Sequence, residues 1–245
     1  KPINLGPVVS EAFAAGEIDM GVMGDLPAFV GRSSGIKYTI VSASDMAKSQ
    51  ALLVNPKSGI QSVADLKGKK VATTKNTSGH ELLVAFLEKE GMTLNDINFI
   101  NMSAADLSQA LIKGDIDAAV IWEPSVTRLE ESGMKVIGDG DFCPNYNVFL
   151  TGDEFLQKNP AANAAVQKAF HRGNEYMKAN MDECLKMLAA EFKIPEPQLQ
   201  KMISKYQPVP IDEKVLTDLK GQEQFLSKNG ITKTSVDVKT FVQKN

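Results

Sequence analysis

Few residues in this 245-residue chain have the type and spacing to do covalent chemistry. A serine or cysteine nucleophile needs a base in reach and a group to orient that base. The two histidines, His80 and His171, sit far apart in unrelated contexts, and no G-x-S-x-G elbow occurs. Cys143 and Cys184 form no C-x-x-C pair and find no H-E-x-x-H partner, so neither a metal site nor a thiol redox centre is expected. The carboxylate pairs Asp115/Asp117 and Glu130/Glu131 fall at a strand entrance and on a helix face, where solvated surface is the expected role. Ser58-Gly59 and Gly138-Asp139-Gly140 read as turns without Walker or dinucleotide glycine spacing. The chain is therefore expected to have no catalytic residue, no cofactor and no metal.

Binding chemistry is better represented. Lys75-Asn76-Thr77-Ser78-Gly79-His80 follows a strand and opens a helix. There the backbone N–H groups of Ser78, Gly79 and His80, with the Thr77 and Ser78 hydroxyls, can converge on an anion, and Gly79 allows a close approach. Ser78 with Glu81 equally fits a capping box that needs no ligand. Two further peptides, Gly24-Asp25-Leu26-Pro27 and Trp122-Glu123-Pro124, fall just past strands, where open α/β sheets bind ligands. Asp25 reads either as a ligand contact or as the cap of a helix starting at Pro27. Trp122, the single tryptophan, reads either as a wall of a cleft or as a core residue. Cys143-Pro-Asn-Tyr-Asn147 brings Asn145 or Tyr146 towards the same region.

The elements that must position these residues follow from pattern. Gly16-Glu-Ile-Asp-Met-Gly-Val22 is echoed by Gly114-Asp-Ile-Asp-Ala-Ala-Val120, each a helix-ending glycine followed by a short apolar strand. Lys70–Thr74, Asn98–Met102, Ala118–Trp122 and Met134–Ile137 read as strands alternating with helices, so largely parallel sheets are expected. A helix over about 79–90 carries the stripe Leu82, Leu83, Phe86 and Leu87. Gln50–Val54 and Tyr146–Leu150 look like a pair of crossing strands, and the chain beyond Gly152 reads as helical. The division that results is 1–55 with 148–245 as one discontinuous lobe and 56–147 as the other.

Composition fits two such lobes. Hydrophobic residues make up 43% and charged residues 23%, which places the chain among globular proteins with a real core. The apolar runs are too short to cross a bilayer. With 27 basic and 30 acidic residues the net charge is −3, and no basic patch marks a nucleic-acid partner.

Three blocks together carry a family resemblance: residues 14–27 (AAGEIDMGVMGDLP), 62–80 (SVADLKGKKVATTKNTSGH) and 114–124 (GDIDAAVIWEP). They resemble the substrate-binding proteins of ABC importers for aliphatic sulfonates, taurine and nitrate. The resemblance implies a type II periplasmic-binding-protein fold, with two α/β lobes, a two-strand hinge and a small organic anion held between them. It also implies delivery to permease subunits and a place outside the cytoplasm, in the periplasm or on a lipid-anchored lipoprotein, with no other membrane contact. The ligand-binding residues it points to are Gly24, Asp25, Thr77, Ser78, Gly79, His80, Trp122, Glu123 and Tyr146. Against the family pattern, the chain starts at about the second strand, with Lys1-Pro-Ile-Asn-Leu5, and the opening β-α unit is missing. The competing readings are a binder of a thiamine-pyrimidine precursor, or a thiamine-pyrimidine synthase-like enzyme on the same fold, whose cysteine-rich motif is not seen here.

Overall fold

A computed structural model describes residues 5–243, which form two compact units: 5–46 with 146–243, and 47–145. The first begins with α1 (Gly6–Ala14), β1 (Met20–Gly24), α2 (Asp25–Ser33) and β2 (Tyr38–Ala47). The second holds β3 (Gln50–Val54), β4 (Lys70–Thr73), α3 (Ser78–Lys89), β5 (Asn98–Asn101), α4 (Ala104–Lys113), β6 (Ala118–Trp122), α5 (Ser125–Glu131) and β7 (Lys135–Asp139). The chain returns to the first unit along β8 (Asn145–Gly152) and continues through α6 (Asp153–Lys158), α7 (Pro160–Ala179), α8 (Met181–Phe192) and α9 (Glu196–Ile203). It finishes with β9 (Tyr206–Pro208), α10 (Glu213–Lys228) and α11 (Val238–Phe241). The strand that the family pattern places at 1–5 lies outside the described residues, except for Leu5, which precedes α1 in extended conformation.

The sheet of the second unit has the order β5-β4-β6-β3-β7. The strands β5, β4 and β6, which are linked by helices, run parallel, whereas β3 is antiparallel to both β6 and β7. The expectation of largely parallel sheets is thus corrected. No helix precedes β3 within this unit, so the chain enters the sheet against the direction of the strands that helices bring back. All five β3 residues are buried, and they alternate between two cores. Leu52 and Val54 pack with Leu82, Leu83, Phe86 and Val120 under α3, while Ala51 and Leu53 pack with Leu107, Leu111, Ile121 and Leu129 under α4 and α5. Residues 47–55 therefore belong to the second unit rather than to the first, as the sequence division had them.

In the first unit the order is β1-β8-β2-β9, with β1 antiparallel to β8 and Gly24 opposite Asn147. Gln50–Val54 and Tyr146–Leu150 are interior strands of two different sheets, and each follows a point where the chain passes from one unit to the other. The core of this unit joins Leu26, Phe29, Tyr38 and Ile40 from the N-terminal part to Val215, Leu219, Leu226 and Phe241 from the C-terminal helices. Local signals set the helix ends. Gly114 and Gly16 take the positive φ that ends a helix (81° and 69°), and Ser103 caps α4 by accepting from the Asp106 N–H. No helix among the described residues is long and apolar enough to cross a membrane.

Candidate functional site

The β4–α3 turn of the second unit gathers four of the predicted residues. Thr77, with extended backbone, is the N-cap position of α3, and Ser78 is the first helical residue. The Thr77 hydroxyl donates to the Thr74 carbonyl at 2.7 Å and so caps nothing. The expected Ser78–Glu81 capping box does not form, because the helix starts one residue earlier than that box requires. The Thr77 carbonyl accepts from the N–H groups of His80 and Glu81, at 2.8 and 3.2 Å. Of the three N–H donors expected to face an anion, that of His80 is therefore spent inside the helix. Among the described residues the N–H groups of Ser78 and Gly79 have no partner. Gly79 also has a packing reason: a Cβ there would lie 2.8 Å from Thr73 Oγ1 and 3.3 Å from the Val120 carbonyl. Thr73 Oγ1 itself donates to that carbonyl at 2.8 Å, tying β4 to β6 where Gly79 packs.

His80 is 6% exposed and stacks on Phe99 with ring centroids 5.8 Å apart. Its Nδ1 accepts from the Asn76 N–H at 3.4 Å, which assigns the proton of the neutral ring to Nε2. Burial, and then the nearby Lys75 charge, push its pKa down to about 4, so the ring is neutral at pH 7. Among the described residues the buried Nε2 atom finds no hydrogen-bond partner.

The β6–α5 turn is built differently. Glu123 is buried and accepts from the Thr127 N–H at 3.0 Å and the Thr127 hydroxyl at 3.1 Å, so its carboxylate closes the start of α5. Trp122 is half-buried against the core that contains Ile121 and Leu129. Opposite Trp122 in the β3–β6 ladder, Gln50 donates through Nε2 to Asn145 Oδ1, and both amides are buried. Gln50 escaped the sequence reading because it heads an otherwise apolar strand. A buried amide there was the only signal.

In the first unit Gly24, Asp25 and Tyr146 come together where β1 ends and β8 begins. Gly24 is the N-cap position and Asp25 the first residue of α2, two residues ahead of the start expected at Pro27. The Asp25 carboxylate is 1% exposed and accepts from the Leu26 N–H at 2.8 Å, the Tyr146 N–H at 2.7 Å and the Gln222 side chain. Burial outweighs these donors and pushes its pKa up to about 6. The Tyr146 hydroxyl donates to Asp218 on α10. Beside them Asp45 accepts from the Ser44 hydroxyl at 2.6 Å and from Asn147 Nδ2 at 2.7 Å, and burial raises its pKa. Asp45, Asn147, Asp218 and Gln222 went unnoticed in the sequence. The last two reach Tyr146 and Asp25 only through tertiary packing, and no local pattern announces them.

The three strand-to-helix turns thus differ in one respect that matters for chemistry. Asp25 and Glu123 spend their carboxylates on their own helices and neighbours, while among the described residues the start of α3 keeps two N–H donors and a neutral imidazole N–H uncommitted. Among the described residues no group of histidine, cysteine and acidic side chains is placed to hold a metal ion.

Known proteins share this architecture. An aliphatic sulfonates-binding protein so named in Escherichia coli (strain K12) is 28% identical over 240 residues, covering 96% of this chain and 75% of that protein. The taurine-binding periplasmic protein of the same organism is 29% identical over 192 residues, 76% of this chain and 59% of that one. The crystal structure of the periplasmic aliphatic sulphonate binding protein SsuA from Escherichia coli superposes with a TM-score of 0.84 at 27% identity, over 98% of this chain and 84% of that one. The fold is that of the periplasmic binding proteins. A family profile described as NMT1/THI5 like matches residues 6–184, which takes in both echoed strands and all three turns. By that match over most of its length, the chain belongs to the NMT1/THI5-like family.

Proposed function

We propose that this protein is the solute-binding component of an ABC importer, working outside the cytoplasm, which captures an aliphatic sulfonate and hands it to permease subunits. The observation that carries the reading is the open start of α3. Two unpaired N–H groups at the positive end of a 12-residue helix, next to the Ser78 hydroxyl, suit an oxyanion that stays ionised at ordinary pH and brings three acceptor oxygens. The names of the relatives point to the same ligand class. The ligand-facing set proposed is Thr77, Ser78, Gly79 and His80 of the second unit, with Trp122 as an apolar neighbour for the alkyl chain. Asp25 and Glu123 act as framework: their oxygens already hold backbone N–H groups. A committed Asp25 gives no counter-charge for a ligand amine, so an unaminated alkanesulfonate ranks ahead of taurine. The protein turns over no substrate in this reading, since the carboxylates nearest the turns are engaged in holding the backbone.

A thermal-shift panel tests the proposal, with hexanesulfonate, taurine, nitrate, bicarbonate and a hydroxymethylpyrimidine as ligands. A solute present at about 100 times its dissociation constant stabilises the native state by roughly 2.7 kcal/mol. The expected order is hexanesulfonate above taurine, with no response to the pyrimidine. A rise with the pyrimidine and none with either sulfonate contradicts the reading.

A further inference from the structure

Helix α7 of the first unit runs for 20 residues, and the one residue it buries fully is Asn163. A surface helix ordinarily sets an apolar row against its own unit, so a polar residue in that place needs a reason. Asn163, Gln167 and His171 recur at steps of four and form one row of α7, with Ala164 and Lys168 in the row beside it. With Leu156 of α6 they line a cavity of about 480 Å³, within the size range of small-ligand pockets. Among the described residues no carboxylate lines it. Asn163 is 3% exposed, and its Oδ1 accepts the Thr151 hydroxyl of β8 at 2.7 Å. That bond assigns the amide and leaves Nδ2 with two N–H donors. Among the described residues these donors have no acceptor, and they are left to face the cavity. Ser42 Oγ lies 3.5 Å from His171 Nε2, and among the described residues Lys168 has no carboxylate partner.

We propose that this cavity is a second binding site, contained within the first unit and independent of the start of α3, for a small organic anion. The negative group meets Asn163 Nδ2, Lys168 and His171, and a short hydrocarbon part lies against Leu156 and Ala164. Cationic and amide donors without an opposing carboxylate favour that charge and disfavour an amine. Lys168 and His171 are exposed, so water screens them and the dissociation constant should be about 1–10 mM.

The test titrates hexanoate into the full chain carrying Ser78→Asp, which closes the start of α3 to anions, and follows the side-chain amide resonances of asparagine. The Asn163 Nδ2 protons are expected to shift downfield and to saturate, while hexylammonium over the same range leaves them in place. Lys168→Glu, at an exposed position that leaves the core intact, should weaken the hexanoate response at least fivefold. Lys186→Glu on α8, outside the cavity, makes the same change in net charge and should leave the response within twofold. An Asn163 amide that hexanoate leaves unshifted, an equal response to hexylammonium, or equal effects of Lys168→Glu and Lys186→Glu would each overturn the inference. None of these outcomes bears on sulfonate binding at the start of α3, which the Ser78→Asp background removes.

Discussion

The β1–α2 turn of the first unit and the β4–α3 turn of the second both lead from the end of a strand into a helix, and each buries an ionisable side chain in the first turn of that helix. They use it in opposite ways. At β1–α2 the buried group is an acceptor, Asp25, and it draws in backbone N–H groups from its own helix and from β8. At β4–α3 the neutral His80 is buried together with Glu81, and among the described residues the N–H groups of Ser78 and Gly79 are left unfilled. The carboxylate of the first turn is filled with donors; among the described residues the second turn leaves two N–H donors without an acceptor. An anion supplies what the second turn lacks and has nothing to offer the first.

The comparison breaks most sharply at Ser78. Ser78→Asp brings a fixed carboxylate to the start of α3, where it should repel a sulfonate by several kcal/mol and so lower affinity roughly hundredfold or more. The same charge suits the helix dipole, so the melting temperature should hold or rise, by the equivalent of about 0.3–1 kcal/mol. Affinity and stability moving in opposite directions is the expected outcome of paired calorimetry and thermal melts. Parallel losses would mean that Ser78 is a folding residue.

Next in size is the filled turn. Asp25→Ala leaves the buried N–H groups of Tyr146 and Leu26 without their acceptor, and urea unfolding should show a loss of about 2–4 kcal/mol. Ser78→Ala, which removes no cap, should stay within about 0.5 kcal/mol of the wild type. Equal losses at the two positions would erase the distinction between the turns.

The pH dependence sharpens the same contrast. Asp25 binds its proton more tightly in the folded protein, with a pKa of about 6 against 3.8, so its contribution to stability falls as pH rises from about 4 to 6. His80 binds its proton less tightly when folded, with a pKa of about 4 against 6.5, so its contribution grows as pH rises through nearly the same window. Each effect is at most about 3 kcal/mol, and in the wild type they oppose one another. Relative to the wild type, His80→Gln should therefore lose stability between pH 4 and 6 and Asp25→Asn should gain it, as read from urea midpoints at pH 4, 5 and 6. Taking differences from the wild type removes the contribution of the other carboxylates. Two variants with the same slope would contradict the assignment of opposite roles.

The smallest effect concerns the third turn. Glu123→Gln keeps an acceptor for the Thr127 N–H but weakens a charge-assisted bond, so it should cost about 1 kcal/mol in unfolding experiments and leave sulfonate affinity within threefold. A large affinity loss would make Glu123 a ligand contact instead of a cap.

Much of this was legible before the structure. The echo of G-acidic-I-D placed β1 and β6, and the stripe Leu82, Leu83, Phe86 and Leu87 placed α3, because periodicity and helix-ending glycines act locally. What the sequence left open was the use of each polar side chain at the turns. An acid at the start of a helix is compatible with a cap and with a ligand contact, and only the partners of Asp25 and Glu123 decide between them. The strand Gln50–Val54 shows a related gap. Five consecutive buried residues mark an interior strand without saying which sheet it joins. Asp218 and Gln222 were out of reach altogether, since their partners lie some 70 and 200 positions away in the chain.

The central claim, that the start of α3 receives the solute, is tested most directly by following backbone amide resonances during titration with hexanesulfonate. New hydrogen bonds to a sulfonate should shift the amide protons of Ser78 and Gly79 strongly downfield, in proportion to occupancy, together with the His80 Nε2 proton. The amides of Leu26, Tyr146 and Thr127, already bonded to carboxylates, should move little. Saturable binding that leaves Ser78 and Gly79 unshifted would contradict the account.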